Sequence, residues 1–156
     1  MAEMDDPWLV DAVWRVADLT RGYLDQDRAQ VASCLGGLEP GRLERVFAWS
    51  SLEHDRLFGI LGEPSMTVRD IYEVAALAPP EIEFATTTAV RRVAMKESTL
   101  LGALKSLALL ERIHAVTINT VVMLLETHGR TKALKLLDEE ALDCERKGYP
   151  RPYPIT

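Results

Sequence analysis

The sequence predicts an all-α protein, a single-domain bundle of about six or seven helices around a long central apolar helix at about 98–128. Three observations carry this prediction. The stretch 98–129, STLLGALKSLALLERIHAVTINTVVMLLETHG, has no proline and one interior glycine, Gly102. Wound as a helix it is apolar on one face through Leu100, Leu104, Leu107, Ala108, Ala115, Ile118, Val122 and Leu125. Its other faces keep Leu109, Ile113, Val116, Met123 and Leu124, the pattern of a helix surrounded by partners. No segment sustains the period-two alternation of a strand. The 156 residues are 47% hydrophobic and 27% charged, an ordinary globular balance with enough material for one core.

The elements follow in order. Asp5, Asp6 and Pro7 open a helix over 7–23, with proline tolerated in the first turn and carboxylates favoured at the positive end. Its stripe is Leu9, Val10, Val13, Val16, Ala17, Thr20 and Leu24, and Trp14 falls on the stripe's edge. A short helix over 25–35 ends at Gly36 and Gly37. The next opens at Glu39–Pro40 and closes at Gly62, with Leu43, Val46, Phe47, Ser50, His54, Leu57, Phe58 and Leu61 on one face; Trp49, Leu52 and Ile60 lie on others. After Pro64, Thr67 followed three residues later by Asp70 resembles a capping box at the head of a short helix that stops at Pro79–Pro80. A helix from Pro80 to near Lys96 either ends there or runs on into the rod. After Gly129 a last helix, 131–147, buries Ala133, Leu137, Ala141 and Cys144. This makes 1–148 the helical domain, followed by an extended proline-rich tail, 149–156, expected to pack on the body through Tyr149, Tyr153 and Ile155.

Composition bounds the function. A net charge of −6 disfavours a general nucleic-acid or anionic-membrane binder. Lys105, Glu111, Arg112, His114 and Asn119 interrupt the rod at its middle, so it does not read as a membrane span. Cys34 and Cys144 lie far apart without nearby partners at metal-ligand spacing and read as reduced thiols. The N-terminus lacks the basic and apolar regions of a signal peptide, so a cytoplasmic setting is expected.

Glu111 carries the most chemical information. Its angular position is near the centre of the rod's apolar stripe, and His114, three residues on, flanks it. A carboxylate there must find a partner. The expected arrangement is an internal link from Glu111 to His114, an arginine or a helix end. The alternative is a small-molecule-binding protein or enzyme whose pocket holds Glu111, His114 and His54 as ligand-binding residues. Glu111-x-x-His114 is half of a di-iron helix pattern, but no second copy exists, and no metal or cofactor is expected. The segment 67–95 could form a helix–turn–helix reading DNA through Thr86–Thr88, Arg91 and Arg92, but Glu81 and Glu83 would meet the phosphates, so nucleic acid is the least favoured partner. No phosphate loop, nucleophile elbow or Cys-x-x-Cys is present. The leading expectation is therefore a non-catalytic scaffold or regulatory module acting through protein contacts, as a homodimer, with Trp14 and Trp49 as candidate interface residues.

Overall fold

The computed structural model describes residues 6–154. Asp5 of the expected first cap and Ile155 of the tail lie outside the described residues. Among them are eight helices and no strand: α1 (Pro7–Leu24), α2 (Arg28–Ser33), α3 (Pro40–Ile60), α4 (Val68–Ala75), α5 (Pro80–Ala94), α6 (Leu100–Leu104), α7 (Leu109–His128) and α8 (Arg130–Arg146). The chain is an all-helical bundle. No described helix is long and apolar enough to cross a membrane.

The centre is α7. Every residue from Ile113 to Leu124 is buried, and α1, α3, α4, α5, α6 and α8 all pack against it. Its apolar side chains are each worth about 1.5–3 kcal/mol when fully buried. Its buried hydroxyls need no outside partner, because Thr117 donates to the Ile113 carbonyl (2.8 Å) and Thr120 to that of Val116 (3.0 Å). The second hub is α1, which packs on α2, α3, α7 and α8.

The expected rod of 98–128 is broken. The chain leaves α6 at Lys105 and re-enters a helix at Leu109, with Ala108 extended (φ −67°, ψ 161°). Alanine has no side-chain acceptor to cap the new helix, and Glu111 supplies the other half of a capping box by accepting the Ala108 N–H at 2.8 Å. Arg112 holds the preceding turn, donating from Nε to the Leu107 carbonyl (2.9 Å) and from Nη2 to that of Lys105 (3.4 Å). Glu111 and Arg112, two of the polar residues expected to interrupt one rod, thus hold the junction between two helices. Upstream, α5 also stops: Lys96 takes a left-handed φ of 61°, and Thr99 caps α6 by accepting the Gly102 N–H.

The Thr67 cap forms as half a box. Thr67 Oγ1 accepts the Asp70 N–H (3.2 Å), but its own N–H donates to Glu126 of α7 (2.7 Å) rather than to Asp70. Gly129 ends α7 and starts α8 in a single residue, with φ 80° and ψ 164°. That region is essentially restricted to glycine.

Candidate functional site

On one flank α1, α3, α7 and α8 enclose a cavity of about 410 Å³. Helical spacing builds its walls. Val13, Val16, Ala17 and Thr20 recur at the period of one α1 face; Trp49, Ser50, Glu53, Arg56 and Leu57 line it from α3. Thr117, Thr120 and Leu124 form its floor on α7, and Ala133, Leu137, Glu140, Ala141 and Cys144 its α8 side. Tyr149, at the start of the tail, also lines it. Ala17, Ala133 and Ala141 present only methyl groups to the space, and the larger Trp14, Trp49, Leu57, Leu124 and Tyr149 border it without filling it.

The cavity is mostly apolar, and its hydroxyls turn away from reactivity. Thr20 donates to the Val16 carbonyl (2.7 Å) and Ser50 to that of Phe47 (2.9 Å), as Thr117 and Thr120 do on α7. Burial raises the Cys144 thiol pKa, so the thiolate is disfavoured. Charge is confined to the rim. Arg56 Nη2 bonds Glu53 at 2.8 Å and reaches Glu140 across the rim at 3.4 Å. Burial, and then the Glu53 carboxylate beside it, raises the pKa of Glu140.

The residues singled out from sequence do not assemble into this site. Glu111, expected inside the apolar face, lies at the partly exposed start of α7 and is committed to the Ala108 N–H. It does not bond His114. That histidine is 1% exposed, and its Nδ1 lies 2.7 Å from the Tyr23 hydroxyl of α1. Burial lowers its pKa to about 4, so it is neutral at ordinary pH. His54 is buried elsewhere on α7's surface, its Nε2 accepting from the Asn119 amide and its Nδ1 facing Asp55 at 3.1 Å. The three candidate ligand-binding residues therefore have three separate partners, and no described group of three or more His, Cys, Asp or Glu side chains is placed to hold a metal ion.

Trp14, a candidate interface residue at the edge of its stripe, is 2% exposed, and its Nε1 donates to the Tyr149 carbonyl at 2.9 Å. Trp49 is half-buried and faces the cavity. In the DNA-reading candidate, Thr86 is fully buried with its hydroxyl on the Ile82 carbonyl, and Glu81 and Glu83 occupy the first turn of α5. What sequence reasoning missed is the rim trio. Glu53 and Arg56 are neighbours on α3 by their i,i+3 spacing, but Glu140 reaches them only through the packing of α8.

Also missed was a polar seam on α1. Asp11 and Asp18, seven residues apart and so on one face, are both buried. Asp11 pairs with Arg42 of α3 (2.9 Å) and Arg15 (3.3 Å). Asp18 clamps the tail, accepting from Arg151 Nε (3.1 Å), Arg151 Nη2 (2.9 Å) and the Tyr153 hydroxyl (2.5 Å). The Arg15 guanidinium lies 3.7 Å from the centre of the Tyr153 ring, a cation–π contact.

No known protein family, curated protein or solved structure matches the chain.

Proposed function

We propose that this protein is a non-catalytic binding module that holds a small, mainly apolar ligand in the cavity between α1, α3, α7 and α8. The observation that carries the reading is the cavity itself: about 410 Å³, apolar within and charged only at its mouth. Sites for small ligands have this character and fall in roughly the 300–1,000 Å³ range. The non-catalytic reading follows from the lining, where the bonded hydroxyls donate to their own helices and the Cys144 thiol is held protonated. Two cysteines left as free thiols favour a cytoplasmic setting.

The test is a thermal-shift and tryptophan-fluorescence titration with uncharged apolar probes such as N-phenyl-1-naphthylamine, using the wild type and Ala141→Phe. The wild type is expected to bind and be stabilised, and the phenylalanine to fill the space and abolish binding. Binding that survives Ala141→Phe places the ligand elsewhere and sinks the reading.

A second reading, contact with a protein partner or a second copy of the chain, is favoured by one observation. Phe84 of α5 is 84% exposed and Leu101 of α6 71% exposed, with Tyr72 and Met95 also standing out from this part of the molecule. Light scattering of the wild type and Phe84→Glu decides it: a dimer that the glutamate dissociates supports self-association, and a monomer in both cases removes it.

A further inference from the structure

At the mouth of the cavity one guanidinium serves two carboxylates. Arg56 engages Glu53 through both Nη2 (2.8 Å) and Nε (3.4 Å), which leaves Glu140 only a 3.4 Å contact with the same Nη2. Further out, Lys147 and Asp143 pair with one another at 2.8 Å and cancel. The carboxylates of Glu53, Glu140 and Asp143 thus outnumber the cations of Arg56 and Lys147 by one, with Arg56 shared between two of them, and the mouth carries a net negative charge.

The interior repeats the asymmetry in its hydrogen bonds. The hydroxyls of Thr20, Ser50, Thr117 and Thr120 and the N–H of Trp14 all donate within the protein, so the hydroxyls present lone pairs to the cavity and not hydrogens. An anionic ligand would need donors and would meet Glu140. A cationic head brings three N–H donors to the carboxylates at the mouth, and Trp49, one turn before Glu53 on α3, lines the same wall.

We infer that the ligand is a hydrophobic amine, an alkyl or aryl body seated among the apolar walls with its protonated ammonium at Glu140 and Glu53. This rests on the cavity being a ligand site, as proposed above, and adds the charge of the occupant.

The experiment is calorimetric titration at neutral pH with n-octylammonium, n-octanol and n-octanoate, all below their aggregation concentrations. Octylammonium is expected to bind about tenfold more tightly than either of the others, the scale of one partly desolvated charge pair. Glu140→Gln should bring the amine to the level of octanol and leave octanol unchanged. Arg56→Met, which removes the competing cation, should leave amine binding as tight or tighter; this second variant carries the test if Glu140→Gln fails to fold by circular dichroism. Equal binding of octanol and octylammonium overturns the inference while leaving the cavity reading standing. Preference for octanoate, lost in Arg56→Met, overturns it by reversing the sign. If none of the three binds, or if amine binding persists in Ala141→Phe, the cavity reading fails and the inference with it.

Discussion

The two sides of α1 solve the same problem in opposite ways. On one side Asp11 and Asp18 are buried yet ion-paired, and the tail is drawn in by directional bonds to Asp18 and by the Trp14 N–H on Tyr149. On the other side Val13, Val16, Ala17 and Thr20 face α3 and α8 across unfilled space. Trp14 is the wall between them, carrying the tail while backing the cavity. A proline-rich segment cannot form a helix or supply a full set of backbone donors, so side-chain bonds must hold it. An apolar seam has no such directionality and closes only as far as its largest side chains permit. The closed seam is therefore specified by a few directional bonds, and the open one by how far side chains of unequal size fill the space between helices.

The largest expected effect breaks the closed seam. Asp18→Ala leaves Arg151 and Tyr153 without their acceptor, and loss of one partner of a largely buried ion pair should cost about 3 kcal/mol. Urea denaturation measures it, and limited proteolysis should show the tail released while 7–146 stays protected. An unchanged midpoint would mean that the clamp is ornamental.

A comparable effect tests how α7 is held beneath α1. His114 has its folded pKa lowered to about 4 by burial against Tyr23, whereas an unfolded histidine titrates near 6.5. Between those values the unfolded chain binds the extra proton, so stability rises with pH there and falls as pH drops from about 6.5 towards 4, by about 3 kcal/mol in all. His114→Gln should flatten that part of the pH–stability curve. A wild-type curve already flat over this window would show that the histidine ionises in place.

Gly129 sets the direction in which α8 leaves α7 and so the width of the open seam. A methyl group there meets no atom within 4 Å, so the cost of Gly129→Ala is purely conformational, about 1–3 kcal/mol by calorimetry. The variant should also bind cavity probes differently from the wild type, and identical stability would mean the junction tolerates another φ.

The smallest effect sharpens the comparison from the open side. Ala141→Phe adds apolar contact where space exists and should raise stability by about 1 kcal/mol. A loss of more than about 1 kcal/mol would indicate that the seam is already packed.

Much of the fold was readable because local rules are strong. The period of α1, α3 and α8, the prolines opening α1, α3 and α5, and the glycine ending α7 are decided within a few residues of themselves. The break between α6 and α7 was hidden because neither glycine nor proline marks it. Its only signature was Glu111 three residues after Ala108, which an angular projection onto one long helix read instead as a buried carboxylate.

By itself, then, the sequence determined an all-helical chain, a core segment apolar on every side, a tail unable to be helical and the glycine hinge before α8. Tertiary structure alone decided that His54, Glu111 and His114 part to separate partners, that Asp18 meets Arg151 across 133 residues of chain, and that Glu53, Arg56 and Glu140 ring one opening. The reason is physical: periodicity states which face of a helix is apolar, while the neighbour that face meets, and the space left between the two, depend on how whole helices cross.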